Sequence, residues 1–417
     1  MIKEIFTALE IADQEIRVVV AELINKRINI IRVNKFKTVN KIGTRIIDED
    51  KLSADIKAAV LKTSKDIHAP ISAVLLILPS NDMKRVPLKV NVNIENETVT
   101  KFDIRRAFKK AEKIKVENNY CVVDTICNKY MIGNNIYEKA PINIKATNLS
   151  CYIDLLCLKQ VTAFQYVNLV EKANLRVIDI ILDMLAICKE AGLFEKSKLK
   201  NIIILNFNKN NTSLGLLSNG KLKSTDNIKF GINKLISAIK DSYQINSDIA
   251  RRLVLYNLRL TSENLTDDPI YVWDYQQINH KLSEKDIYDK TKTIMDSFAL
   301  LLKETCDPII KSNLTEIYIT GLGSEMQDID LFLKDKLNVN VVKYVPEVLG
   351  ARSGELISTI GSFFAYNDKS ELLDLIDVSV DLEIYNENLE DSKTKQSNLT
   401  MTNRLKKLII GSTNKED

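Results

Sequence analysis

The sequence has only two histidines among its 417 residues, His68 and His280, which argues against catalysis built on a histidine cluster. Its six cysteines, Cys121, Cys127, Cys151, Cys157, Cys188 and Cys306, include no CxxC pair. Both close pairs are CxxxxxC within apolar runs, the pattern of buried reduced thiols in a cytosolic protein rather than of a disulfide framework. No metal site is expected and no catalytic residue is nominated. No stretch approaches the ~20 apolar residues of a membrane-spanning helix. The opening, MIKEIFTALEIADQ, carries charges inside its apolar part and no cleavage site, so it does not read as a signal peptide. A net charge of +4 is small for this length and implies no general nucleic-acid field. These absences point to a cytoplasmic chain.

What is present is an ordinary globular composition, 45% hydrophobic and 27% charged, long enough for two or more domains. The stretch IIILNFNKNNTSLGLLSNGKL, residues 202–222, reads as strand, polar turn, strand, Ser218-Asn219-Gly220 turn and strand. The same plan occupies residues 6–33, with a polar turn at Asp13-Gln14-Glu15. Two such meanders half a chain apart predict an internal duplication, and a period that long means two similar domains.

Between the meanders, helical spacing of Leu52, Ile56, Ala59, Val60 and Ile67 precedes a fully apolar strand at 74–78. Residues 86–179 then read as strand, helix, strands (121–126, 130–132, 149–158) and helix (162–173), a compact α+β insertion. After the second meander come two short helices at 232–243 and 247–256 and a short strand holding the only tryptophan, Trp273. A long amphipathic helix within 284–310, the strand 316–320, a helix over 326–337, a strand at 339–342 and a last helix at 357–364 complete the body. Residues 367–391 hold nine acidic residues and one lysine, followed by a polar stretch and NLTMTNRLKKLII at 398–410.

Order, spacing and tail together resemble the FtsA family, actin-like bacterial cell-division proteins. ALEIADQEIRVVVAEL (8–23) is similar to that family's first phosphate loop, LNFNKNNTSLGLLSNGKL (205–222) stands where its second one lies, and ITGLGSEMQDIDLFLKDKLNVNVVKY (319–344) is similar to its adenosine segment. The resemblance implies an α/β, actin-like (ribonuclease H-like) duplicated fold with an inserted α+β subdomain and a C-terminal amphipathic helix. The expected division is 1–84 for the first core, completed by 345–366; 85–178 for the insert; 179–231 and 313–344 for the second core; 232–312 for a partner-binding subdomain; 367–397 for an acidic linker; and 398–411 for a membrane-targeting helix.

The resemblance also implies ATP and Mg²⁺ between the halves, but the matching positions depart from the pattern. Glu10 stands for an Asp, Ala12 for a Gly and Asp13 for a hydroxyl residue. A carboxylate at position 13 would face a phosphate; at ~4 Å and an effective dielectric of ~20 the repulsion is ~4 kcal/mol. In the second loop Asn206 replaces Asp, and Asn208, Lys209 and Asn210 replace the glycines that let backbone N–H groups close on an anion. Asn211-Thr212 stands for the Thr-Thr pair and Ser213 for the closing Asp; Lys209 offers a replacement cation. In the adenosine loop Gly321, Gly323 and Ser324 remain. ATP hydrolysis is not expected, and the chain reads as a scaffold with a degenerate nucleotide site.

At 100° per residue Met401, Leu405, Leu408 and Ile409 share an arc of about 100°, flanked by Arg404, Lys406 and Lys407, as an interfacial helix on anionic lipid needs. The implied partners are an anionic membrane surface, the FtsZ C-terminal peptide, with Arg251, Arg252 and Arg259 as candidate contacts, other division proteins, and further copies of the chain in an actin-like filament. The implied place is the cytoplasmic face of the membrane at the division site. Two alternatives stand beside this: a pilus-assembly-type actin-like scaffold, and an active actin-fold ATPase.

Overall fold

A computed structural model describes residues 3–24, 27–261, 265–275, 277–311, 314–375 and 377–388. The chain begins with an antiparallel meander, β1 (Lys3–Ala12), β2 (Glu15–Ile24) and β3 (Arg27–Lys37). A small hairpin of β4 (Lys41–Ile42) and β5 (Arg45–Ile46) leads to α1 (Glu49–Asp66) and β6 (Ala73–Leu78). Then follow β7 (Lys84–Asn93), α2 (Lys101–Glu112), β8 (Tyr120–Ile132), β9 (Asn135–Tyr137) and β10 (Asn148–Lys159). The segment α3 (Gln160–Lys172), β11 (Arg176–Leu182), α4 (Asp183–Glu190) and α5 (Leu193–Lys196) leads to the second meander, β12 (Asn201–Phe207), β13 (Thr212–Ser218) and β14 (Lys221–Ile228). Beyond it lie α6 (Asn233–Tyr243), α7 (Ser247–Tyr256), β15 (Pro269–Tyr275), β16 (Ile278–Ser283) and α8 (Glu284–Ile310). The last elements are β17 (Thr315–Thr320), α9 (Ile329–Leu337), β18 (Asn340–Lys343) and α10 (Ile357–Leu373).

The duplication is visible strand by strand. One sheet runs β3-β2-β1-β6-β11 and the other β14-β13-β12-β17-β18. In each, three meander strands are antiparallel and two later strands add in parallel. The central strands β6 and β12 are buried along their whole length, as apolar runs covered on both faces require. The β13–β14 turn is fixed by Asn219 and Gly220, both at positive φ (53° and 69°), the demand of a tight two-residue hairpin turn. Reciprocal caps, Thr100 with Asp103 and Ser283 with Asp286, set the starts of α2 and α8.

The insert is a four-stranded antiparallel sheet, β7-β10-β8-β9. Ile104, Ala107, Phe108 and Ala111 of α2 cover the face that carries Val90, Val92, Leu149, Cys151 and Ile153. Its sheet ends at Lys159. Expecting the insert to run to 178 misplaces α3 and β11, because α3 packs on α1 and β11 pairs with β6 in the first sheet. The two strands expected at 121–126 and 130–132 are one strand, β8, whose pairing with β10 shifts register beside Tyr152.

Two helices join the halves. A Cβ placed on Gly361 of α10 would lie 2.0 Å from the Ala186 carbonyl oxygen of α4, so this crossing is backbone against backbone. The described part of the expected acidic linker is not a linker. Residues 367–373 finish α10, and the following segment lies across the first sheet. Ser379 is buried; its N–H donates to Ile5 O (3.0 Å), and its carbonyl and hydroxyl accept from Ser72 N (3.1 Å) and Thr7 N (2.8 Å). Val380 and Tyr385 add to the first core. The acidic residues there have partners: Asp368 with Lys189, Asp374 with Lys101 and Asp377 with Arg176. The expected amphipathic segment 398–411, including Met401 and Ile409, lies outside the described residues.

Candidate functional site

The C-terminal ends of β1, β6 and β11 face those of β12 and β17 across a cleft, the usual place for a ligand in sheets of this kind. Glu10, Asp13, Asn206, Asn208 and Lys209, all nominated from sequence, line it together with Arg17, Lys41, Gly43, Asp183 and Asn211. The cavity at its floor measures about 50 Å³, against the roughly 300–1,000 Å³ typical of cofactor pockets.

Arg17 organises the charges. Its Nε donates to Glu15 Oε1 (2.8 Å), and its Nη1 to Glu10 Oε2 (3.0 Å) and to the Glu355 carbonyl (2.6 Å). Lys35 pairs with the Glu355 carboxylate at 2.6 Å, and Ser358 donates to Glu10 Oε1 at 2.8 Å. Lys209 is paired with Glu15 at 3.1 Å. Burial pushes the Glu15 carboxyl up, but Arg17 and Lys209 outweigh it and hold it down at about 2. Burial pushes the Lys41 ammonium down to about 8 against the pull of Asp13 and Glu10; its Nζ donates to Gly43 O at 2.9 Å. Asp183 accepts from Ser80 N (2.8 Å), from the Ser80 hydroxyl and from Met184 N (2.6 Å). Burial nonetheless pushes its carboxyl up to about 6.

Asp13 makes the contact that sequence reasoning least expected. Its Oδ1 accepts from Gly43 N at 2.6 Å and its Oδ2 from Asn210 N at 2.9 Å. The 208–211 turn is fastened from behind: Ile232 and Asn233, at the start of α6, donate N–H groups to Asn208 O and Lys209 O (3.0 and 2.8 Å). Thr212 is buried and its hydroxyl donates to Phe230 O at 2.8 Å, so it does not enter the cleft.

Gly321, Gly323 and Ser324 sit beside the cleft but do not line it. A Cβ on Gly323 would lie 2.2 Å from the Phe207 ring, and one on Gly321 would lie 2.6 Å from Asn206 Oδ1. Ser324 is buried and donates to Gly321 O at 2.8 Å. Close packing thus requires these glycines whether or not a ligand is bound. Sequence reasoning missed Arg17, Lys41, Asp183 and Glu355. The signal for Arg17 was a charge directly before the apolar run Val18–Ala21, three residues after Gln14; for Asp183 it was a carboxylate closing the apolar strand β11.

The nominated arginines lie on and after α7. Arg252 is exposed, Arg251 is half-buried, and Arg259 is 3.6 Å from Glu284. All six cysteines are free thiols. Among the described residues no group of acidic, histidine and cysteine side chains has a metal-binding arrangement, and no helix is long and apolar enough to cross a membrane.

Comparison with known proteins agrees with this architecture. Residues 81–157 match the family model of the SHS2 domain inserted in FtsA. The FtsA cell-division protein of Bacillus subtilis is 20% identical over 364 residues, 86% of this chain and 82% of the relative. That of Enterococcus hirae is 22% identical over 382 residues, 90% of this chain and 86% of the relative. Among solved structures, a PilM–PilN type IV pilus biogenesis complex aligns at a TM-score of 0.56 and 13% identity, covering 85% of this chain and 96% of that one. The ethanolamine utilization protein EutJ of Carboxydothermus hydrogenoformans aligns at 0.50 and 10%, covering 86% and 89%. The fold is actin-like with an SHS2 insert.

Proposed function

We propose that this chain, a divergent relative of the FtsA cell-division proteins, is a membrane adaptor of the division ring that links FtsZ filaments to the cytoplasmic membrane. The observation that carries the reading is the insert: a four-stranded sheet with one covering helix, matched to the FtsA-type SHS2 domain and placed within the first of two actin-like halves. The relatives named above support a role in cell division. The membrane contact belongs to the stripe of Met401, Leu405, Leu408 and Ile409 with Arg404, Lys406 and Lys407 beside it. Each basic residue near an anionic surface adds about 1 kcal/mol, and self-association into an actin-like filament would multiply weak anchors by avidity. The FtsZ C-terminal peptide, acidic and apolar, would meet the subdomain of α6 to α8, where Arg251 and Arg252 offer charge; other division proteins complete the partners.

ATP turnover is not part of this proposal. The residues present do not fit a magnesium nucleotide. The cavity is a fraction of the needed volume, and Arg17, Lys35 and Lys209 are all spent on the chain's own carboxylates.

The test is liposome flotation of the full-length protein against a version ending at Ser397. Flotation of the full-length protein alone, on anionic and not on neutral vesicles, is expected, followed by retention of an FtsZ C-terminal peptide. Equal behaviour of both versions would remove the anchor and favour a pilus-type scaffold.

A further inference from the structure

We infer that the cleft is a clasp closed by the chain's own carboxylates, which hold the places an anionic ligand's phosphates would take and join the two halves without a ligand. This deepens the scaffold reading above, but rests on the cleft alone.

Glu15 and Arg17 alternate along β2 and so face one way, and Asp13 precedes them in the turn. Asp13 and Glu15 reach across to the second half, and Arg17 reaches the turn before α10, which completes the first. Asp13 takes the Asn210 N–H at 2.9 Å, Glu15 the Lys209 ammonium at 3.1 Å, and Arg17 the Glu355 carbonyl at 2.6 Å. The Glu355 turn itself rests on the second half, since a Cβ on its neighbour Gly354 would lie 2.4 Å from Gly321 O. The Asp13 end has the form of an anion site. Two backbone N–H groups, Gly43 from the first half and Asn210 from the second, converge on one carboxylate, as main-chain donors converge on phosphates elsewhere. Gly43 lies at φ +57°, a conformation that suits glycine, in the hairpin of β4 and β5 that brings its N–H there. A carboxylate at position 13 therefore does not repel a phosphate across a gap; it fills the gap.

The decisive variant is Asp13→Gly, which removes the internal anion and leaves both donors. Wild-type protein should melt within ~1 °C of its own value in millimolar Mg-ATP, phosphate or sulfate. D13G should melt at least ~2 °C lower. It should recover at least half of that loss in millimolar phosphate or sulfate, but not in chloride of equal ionic strength, because an anion bound only to the folded state stabilises it by mass action. Hydrogen exchange at Gly43 and Asn210 should quicken at least tenfold in D13G. Lys209→Met tests the neighbouring link: exchange across 207–212 should quicken without anion rescue, since Asp13 stays in place. If D13G does not fold, exchange in K209M and the anion insensitivity of the wild type decide. A wild-type melting shift of several degrees with Mg-ATP or phosphate, or wild-type exchange in the variants, overturns the inference. Failed flotation beside these expected results would remove the adaptor reading and leave the clasp.

Discussion

At the scale of single residues the cleft is governed by Arg17, a buried guanidinium with Glu10, Glu15 and Glu355 around it. Removing one partner of a buried ion pair costs about 3–5 kcal/mol, because the groups left behind are uncompensated. Arg17→Met should lower unfolding stability by about that amount in urea titration, and an unchanged midpoint would show that the network contributes nothing net. Asp183 offers a pH prediction. Its folded pKa of about 6 stands above the ~3.9 of a free aspartate. Between those values the folded chain keeps a proton that the unfolded chain has released, so stability falls as pH rises through about 6 and returns on acidification. Glu15, held at about 2, loses its contribution as pH falls below about 4.5, so the Asp183 effect is read above that value. Asp183→Asn keeps the acceptor for Ser80 and removes the charge. Relative to wild type it should be more stable at pH 7, by at most about 3 kcal/mol, and this advantage should shrink toward pH 5 in thermal melts.

At the scale of elements, the contact between α4 and α10 is close enough to leave no room for a side chain at Gly361. Gly361→Ala would push a methyl group into the Ala186 carbonyl, and overpacking of this kind costs typically 1–3 kcal/mol. Calorimetry should show a lower melting point for this variant, whereas an alanine at the exposed, open position Lys369's neighbour Asp368 should change little beyond its Lys189 pair. Both meanders were legible in the sequence because their first two strands are apolar runs cut by Asn, Gly and Asp. The sheet to which α3 and β11 belong was not. Helical spacing in α3 shows that one face is buried, but not that α1 covers it. The retained glycines have a packing reason that the motif did not show. Gly321 and Gly323 read as an adenosine loop, while the ring that requires Gly323 belongs to Phe207, more than a hundred residues earlier. In the cleft Glu10, Asp13, Asn206, Asn208 and Lys209 came from motif positions, whereas Arg17 in β2 and Lys41 in β4 stand in no distinctive pattern.

At the scale of the whole molecule, two like sheets face each other with their strand ends at one seam, and the insert hangs from the first half through β7 and β10. The seam carries its own counter-charges, so its closure should be indifferent to the cell's nucleotide level. The opposite end of the first sheet carries the segment around Ser379, fastened to Ile5, Thr7 and Ser72. That arrangement has a mechanical meaning. Tension applied beyond residue 388 first meets Asn388, whose amide donates to His68 O (2.8 Å), then buried Tyr385, then Ser379 on β1, all away from the Asp13 clasp. Load from that side is thus taken up within the first half, and the strap works as a fuse placed ahead of the joint between the halves.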